Sequence, residues 1–470
     1  MRIHFVNHAS FVVEQGPVRL ICDPWIEGTV FNDGWDLLAP SRFRYEDFRG
    51  ITHIWFSHEH PDHFNPPNIK KIPEDCRREI TVLFQHTNDK KVVRHCEKLG
   101  FKDVRELRLG DWHEVAPCVQ VKCCAANVEW DADSWLCIRT PELTLLNLND
   151  CGIDTPGYAA EVRRQVGRVD VLATQFSYAS WQGNPGDKQS RRRRAARVMS
   201  TVQCQIQELR PRWVIPFASF VWFCHEENFF MNDEMNRIRD VAGKIAAGSS
   251  VTPLVMYPGD SWEVGAAYDS EPAIARYEED LRGIAEGKQP LVRSKQSVPA
   301  EALIAMAESF NRECLKMAAW RLAVFHVTLW NLEKHVLGPK VHALRSAALA
   351  VWRVFSGRME PSYVFVSDHG RSYSFSLTDG LRRADRPREE CDAALSSDSL
   401  AMCFKLPWGG ETLRINGRFE APPEGREYRF FNTFRFARSL NLGAPVAWKR
   451  VAAGIARRTP LVGRLVSRGV

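Results

Sequence analysis

The sequence predicts an α/β protein whose residues 1–270 fold as a four-layer αββα sandwich, with an additional helical segment and an α+β region after it. Two observations carry this. Within residues 1–270, strand-like runs fall into two groups flanked by helical spacing, the pattern of two sheets covered by helices on their outer faces. Beyond about residue 270 the texture changes: 271–357 read as mainly helical, 358–442 as an α+β domain and 443–470 as a basic tail. The length of 470 residues also exceeds what one ordinary core accommodates and predicts two or three domains.

Taken in order, Ile3–Val6, Ser10–Glu14 and Val18–Cys22 form a meander, with Gln15-Gly16-Pro17 as a turn. Ile51–Ser57 is a buried strand. Asp89–Leu99 has helical spacing and stops at Gly100. Ala116–Ala126, Trp135–Arg139, Leu143–Leu148, Val169–Thr174 and Trp213–Phe217 are further strands, and a basic amphipathic helix spans roughly 188–210. Glu301–Val336 shows long apolar helical periodicity. Tyr363–Ser367, Ser372–Leu377 and Thr412–Phe419 are expected to be strands.

Hydrophobic residues make up 44% and charged residues 26%, as in ordinary globular proteins. No apolar run reaches the ~18–20 residues of a membrane span, and the N-terminus lacks a signal peptide's apolar block. The thirteen cysteines are an odd number without a Cys-x-x-Cys pair, which predicts a reducing, cytoplasmic setting. The net charge of +6 is matched by Lys449, Arg450, Arg457, Arg458, Arg464 and Arg468 in an acid-free tail. The remaining body is neutral, which argues against a nucleic-acid partner. With Trp448, Leu461 and Val462, the tail could rest on anionic lipid as a peripheral contact, or it could be disordered or pack in a homodimer.

The chemistry lies where the strand Ile51–Ser57 runs into His58-Glu59-His60-Pro61-Asp62-His63. A loop leaving a strand can aim His58 and His60 at one ion while Asp62 and His63 reach a second. Imidazole and carboxylate donors suit zinc, iron or manganese. Any one of these histidines alone would read as a hydrogen-bonded structural residue; the cluster does not.

His-x-His-x-Asp-His after a hydrophobic strand resembles the metallo-β-lactamase superfamily. A wider stretch, roughly residues 15–240, resembles the metallo-β-lactamase part of CMP-N-acetylneuraminate hydroxylase. It does so through Asp23-Pro24-Trp25-Ile26-Glu27-Gly28, Gly34-Trp35-Asp36-Leu37-Leu38, Asn149-Asp150-Cys151 and Pro216-Phe217-Ala218-Ser219-Phe220. The resemblance implies Asp150 as the carboxylate bridging two metals and His225 as the last histidine ligand. It also implies a third histidine about twenty residues before Asp150, where this chain has none. Glu129 falls at that position, with Asp131 and Asp133 as close competitors. The implied set is His58, His60 and Glu129 on one ion, Asp62, His63 and His225 on the other, with Asp150 between. A carboxylate in place of an imidazole favours iron over zinc, and a glutamate here is similar to the flavodiiron proteins and to the diiron β-hydroxylase of chloramphenicol biosynthesis.

The expected function is therefore an oxygen-dependent diiron oxygenase of the hydroxylase type, with two iron ions, dioxygen as co-substrate, a small-molecule substrate, and Asp150 and Glu129 as catalytic residues. The alternative is a dizinc hydrolase of a lactone or phosphodiester. The hydroxylase resemblance implies a Rieske domain, whose Cys and His pairs are absent, since no Cys-x-His occurs. Electrons are then expected from a separate reductase or ferredoxin, or from the substrate. Among weaker features, Asp23 is a candidate to orient the histidine loop; its bland reading is a turn aspartate. His8 and His86 read as structural or surface residues. Gln175–Trp181 is a pocket candidate, and Arg191–Arg194 read as a solvated helix start. Residues 362–440 resemble sterol-carrier-like lipid-binding domains, whose apolar chamber could take an acyl group or cement a dimer.

Overall fold

The computed structural model describes residues 1–127, 131–248, 250–294, 296–317, 360–423 and 426–441. The tail, most of the helical segment beyond Met317, and Glu129 lie outside the described residues. The strands are β1 (Arg2–Asn7), β2 (Ser10–Gln15), β3 (Val18–Cys22), β4 (Trp35–Leu37), β5 (His53–Phe56), β6 (Thr81–Gln85) and β7 (Asp103–Leu107). They continue as β8 (Trp112–Ala116), β9 (Val119–Asn127), β10 (Asp131–Arg139), β11 (Thr144–Asn149), β12 (Val171–Gln175), β13 (Trp213–Phe217), β14 (Val221–Phe223), β15 (Thr252–Pro253) and β16 (Ser261–Glu263).

Two seven-stranded mixed sheets result, in the orders β16-β1-β2-β3-β5-β6-β7 and β15-β13-β12-β11-β10-β9-β8. In the first, β16 to β3 run antiparallel and β3, β5, β6 and β7 parallel. In the second, β11, β12, β13 and β15 are parallel and β8 to β11 antiparallel. The sheets face one another through a core that includes Phe5, Phe11, Leu20, Trp55, Trp135, Leu146, Leu172 and Phe217. The helices Pro66–Lys71 and Lys91–Lys98 cover the far face of the first sheet, with Ile69 and Val92 packed on Ile54 and Val82. Pro156–Val166 and Lys188–Leu209 cover the second, burying Ala159, Val162, Val202 and Ile206. The fold is thus α/β with two mixed sheets, and an extra C-terminal α/β region follows. Among the described residues all thirteen cysteines are free thiols, and no helix is long and apolar enough to cross a membrane.

The C-terminal ends of parallel strands from both sheets meet, through hydrogen bonds among Asp23, Ser57 and Asn149, and such ends are where α/β sheets collect ligands. Three of these ends turn sharply through left-handed residues: Asp23 (φ 41°) after β3, Asn149 (φ 52°) closing β11 and Ala218 (φ 52°) after β13. Such φ values cost a non-glycine residue about 1–2 kcal/mol, which surrounding hydrogen bonds must offset.

The C-terminal region holds β17 (Ser362–Val366), β18 (Arg371–Ser376), β19 (Gly380–Ala384) and β20 (Ala393–Leu395), in the order β19-β18-β17-β20. Helix Ala300–Met317 and three later helices pack on it. Its centre is occupied by Phe310, Phe375, Phe404 and Phe434, with ring centroids 4.9 to 6.4 Å apart. The expected strand Thr412–Phe419 is instead the end of a helix, Gly409–Asn416. Thr412, Leu413 and Asn416 are its buried residues, at helical spacing, and Gly417 at φ +69° stops it.

This helix docks on the first domain. Asn416 Nδ2 donates to the Phe31 carbonyl (2.9 Å), and any side chain at Gly34 would collide with Asn416. Arg418, almost fully enclosed, donates to Glu227 Oε2 (2.6 Å), Asp398 Oδ2 (2.8 Å), Ser294 Oγ (2.9 Å) and the Asn32 carbonyl (2.7 Å).

Candidate metal centre

The strand β5 is buried on both faces and delivers the chain directly into the histidine loop. Ser57 fixes the exit: its N–H donates to Asp23 Oδ1 (2.7 Å), and its carbonyl accepts from Ser134 Oγ (2.6 Å) and Gln85 Nε2 (3.1 Å). The loop folds back through the His63 and Phe64 N–H groups, both donating to the His60 carbonyl. Three sets of donor atoms then converge, each within 4.8 Å: His58, His60 and Asp133; His58, His63 and Asp150; and His8, Asp62 and His63. Asp150 Oδ2 sits between the outer sets, 3.3 Å from His63 Nε2 and 4.0 Å from His58 Nε2. Asp133 Oδ1 is 3.7 Å from His58 Nε2.

The supporting contacts explain why these side chains hold still. Asp23 is completely buried; its Oδ2 lies 3.1 Å from His63 Nδ1 and accepts from Ser57 Oγ at 2.8 Å. Asn149 donates to Asp23 Oδ2 and Ser57 Oγ, joining the β11 end to the β3 and β5 ends. Gln175 Nε2, at the end of β12, donates to Asp150 Oδ1 (3.1 Å), so the loop expected near the pocket contributes a partner to Asp150. Asp23 leaves His63 Nε2 facing the other donors. Changing Asp23 to Asn is therefore expected to weaken binding of the ion on His63 by about 10–100-fold, read by chelator competition. An unchanged affinity would show that Asp23 is only a turn residue.

Burial pushes His58 down to about 4, helped by the nearby His63, so its imidazole is neutral and ready to donate a lone pair. His60 is lowered for the same reason, burial first and then His58. For Asp62 burial opposes ionisation, but His63 outweighs it and holds the carboxyl well below its usual range. His63, among Asp62, Asp150 and Asp23, is raised well above its usual value despite burial, so it gives up a proton when an ion enters. Asp62 Oδ1 and His8 Nδ1 are buried without hydrogen-bond partners, and His63 Nε2 faces the carboxylate oxygens of Asp62 and Asp150 at 3.1 and 3.3 Å. Orphaned buried polar atoms are costly and uncommon, and a cation among them relieves that cost. The neutral imidazoles and ionised carboxylates suit first-row divalent metals, and the buried clusters form a site for two ions.

Of the residues expected from sequence, His58, His60, Asp62, His63 and Asp150 come together here. Glu129 and the side chain of Asp131 lie outside the described residues, and their competitor Asp133 is the carboxylate seen beside His58 and His60. His225 joins none of the three donor sets. It follows β14 into the Arg418 cluster, where Nδ1 accepts from the Glu227 N–H (3.2 Å) and Nε2 lies 3.4 Å from Ser294 Oγ. His8 was read as structural, yet its Nε2 lies 3.3 Å from Asp62 Oδ2. Nothing in the local motif marked it, because the contact closes over 54 positions. Arg191 is no solvated residue: it is fully buried, paired with Asp233 and bonded to the Asn184 and Pro185 carbonyls.

Residues 2–218 match the Beta-lactamase superfamily domain. Among curated proteins, the chain is 25% identical over 246 residues to a putative Rieske 2Fe-2S iron–sulfur protein of Mycolicibacterium smegmatis, covering 50% of this chain and 46% of that one. It is 22% identical over 281 residues to the cytidine monophosphate-N-acetylneuraminic acid hydroxylase of Mus musculus, covering 56% and 47%. The chain thus spans about half the length of these relatives. Among solved structures it is similar to CmlA, a diiron β-hydroxylase from Streptomyces venezuelae, with TM-score 0.35, 15% identity and coverage of 62% and 52%. It is also similar to an isothiocyanate hydrolase from Delia radicum gut bacteria, with TM-score 0.41, 11% identity and coverage of 57% and 100%. The first domain has the metallo-β-lactamase fold and is distantly related to the hydroxylase and Rieske proteins.

Proposed function

We propose that this metallo-β-lactamase-fold metalloenzyme is an oxygen-dependent diiron oxygenase of the hydroxylase type acting on a small molecule. The observation that carries the reading is Asp133, a carboxylate beside His58 and His60 where a zinc hydrolase site would be served by a third imidazole. Adding a hard, charged oxygen donor favours iron and its higher oxidation states. The hydroxylase name of one distant relative supports the same reaction class.

Two bound irons would supply the redox chemistry that activates dioxygen, with a separate reductase or ferredoxin as the expected source of the further electrons. The chain's own residues do the positioning. Asp150 sits between the two donor sets and is held from outside by Gln175. Asp23 receives the Nδ1 side of His63 and so fixes the direction of Nε2. Phe31 presents its ring to His60 at a centroid distance of 5.8 Å, forming an apolar wall that limits water on that side.

Metal analysis tests the proposal. Protein purified without added metal should hold two irons per chain and consume oxygen when reduced, whereas active protein holding two zincs and hydrolysing a lactone or phosphodiester would refute it. Asp133→His should retain two ions, shift selectivity toward zinc, and lower oxygen consumption at least about tenfold, or ~1.4 kcal/mol in the barrier.

A further inference from the structure

Among the described residues, the donor sets leave one ion with a single imidazole beside the shared carboxylate. His58, His60 and Asp133 surround one position, while Asp62 and His63, with Asp150 between the two, form the other. A divalent first-row ion in such a site takes three or more protein donors, and the histidine expected to complete the second position, His225, is committed elsewhere. Its Nδ1 lone pair receives the Glu227 N–H, which leaves Nε2 as the protonated nitrogen. That nitrogen faces Ser294 Oγ, the same hydroxyl that accepts from Arg418. Neither nitrogen has a lone pair free for a metal.

We propose that His8 is the imidazole ligand that completes the Asp62–His63 ion, in place of His225. The proposal rests on the two-metal reading above but not on the identity of the metal. His8 is buried, its Nε2 lies 3.3 Å from Asp62 Oδ2, and its ring centroid lies 5.9 Å from that of His63. Asp62 Oδ2 is in turn 3.1 Å from His63 Nε2. The donor atoms of the three residues lie within 4.8 Å of one another, and Asp62 Oδ1 beside them lacks a hydrogen bond.

Three separate elements build the seat of His8. Asn7 Nδ2 donates to the Trp25 carbonyl (2.6 Å), pinning the β1–β2 turn to the segment after β3. Ala218, in its left-handed turn after β13, donates its N–H to the His8 carbonyl (2.7 Å). The imidazole meets the Trp25 ring edge-on at 5.8 Å. A histidine kept only as a spacer needs no such framework, whereas a metal ligand must be held within a few tenths of an ångström of its productive position.

The test counts tightly bound cobalt or zinc in the wild-type full chain, His8→Gln and His225→Gln, and records the cobalt absorption spectrum of each. Wild type and His225→Gln are expected to hold two ions with the same spectrum. His8→Gln should keep one, binding the second about 100-fold or more weakly. Full second-ion affinity in His8→Gln, or its loss in His225→Gln, would overturn the assignment. Should His8→Gln fail to fold, cadmium-loaded His225→Gln with nitrogen-15 histidine decides. Coupling of the metal to His8 as well as to His58, His60 and His63 upholds the assignment, and its absence at His8 overturns it. A wild-type chain that binds fewer than two ions would instead refute the two-metal reading itself.

Discussion

Arg418→Ala is expected to destabilise the protein by about 2–3 kcal/mol, below the ~3–5 kcal/mol of a fully buried ion pair because Glu227 and Asp398 are partly exposed. The guanidinium is almost completely enclosed, and its donors serve two carboxylates, a hydroxyl and a backbone carbonyl. Without it, Glu227 and Asp398 face each other's charge in a confined space, and the Asn32 carbonyl and Ser294 hydroxyl lose a donor. The loss is a large share of the ~5–15 kcal/mol that holds an ordinary domain together. Urea unfolding of the full chain measures it, and a loss below ~1 kcal/mol would show that the cluster is solvated enough to dispense with Arg418. The triple change Arg418→Met, Glu227→Gln, Asp398→Asn should recover much of the loss, because it removes the charges together and leaves none unpaired.

Asp150→Ala is expected to be the most damaging single change to the metal centre. Its Oδ2 is the carboxylate oxygen that approaches both His63 and His58, so its removal takes away a donor shared by the two positions and leaves Gln175 without its acceptor. Loss of an outer supporting partner costs a metal site about 10–100-fold; loss of the shared ligand should exceed that and leave one ion or none per chain by elemental analysis. Activity should fall with the ion count, while the far-ultraviolet dichroism stays that of the folded chain, since Asp150 lies beyond the end of β11 and takes no part in its ladder. Two tightly held ions in Asp150→Ala would remove Asp150 from the centre.

The parts of this site that could be read from the sequence are those in which chemistry and chain order coincide. Strand β5 and the loop after it are contiguous, so His58, His60, Asp62 and His63 announce themselves together, and Asp150 follows directly on the buried strand β11. His8 and Asp62 do not, because their meeting depends on β1, β2, β3 and β5 being laid in that order in one sheet. His225 shows the same dependence on tertiary contacts: its place after β14 suits a ligand, while its surroundings are set by Glu227, Ser294 and Arg418, which local spacing does not foretell. Thr412–Phe419 failed for a different reason. Leu413, Ile415 and Gly417 alternate as a strand would, but Thr412, Leu413 and Asn416 are on the buried face of a helix, and its start lies in Gly409-Gly410, residues of low helix propensity. Arg191 was misjudged because a run of arginines looks uniform in sequence while only one of them faces Asp233.

The Arg418 contacts also set a clock. The loop Phe31–Gly34, which places Phe31 against His60, is bonded by residues synthesised far later: Arg418 reaches the Asn32 carbonyl across 386 positions. At about 5–20 residues per second, roughly 20–80 s separate the synthesis of the two. During that interval the histidine loop is already translated while the segment that finishes its outer wall does not yet exist. The helix Gly409–Asn416 therefore joins the Phe31–Gly34 loop only after the histidine loop has been made.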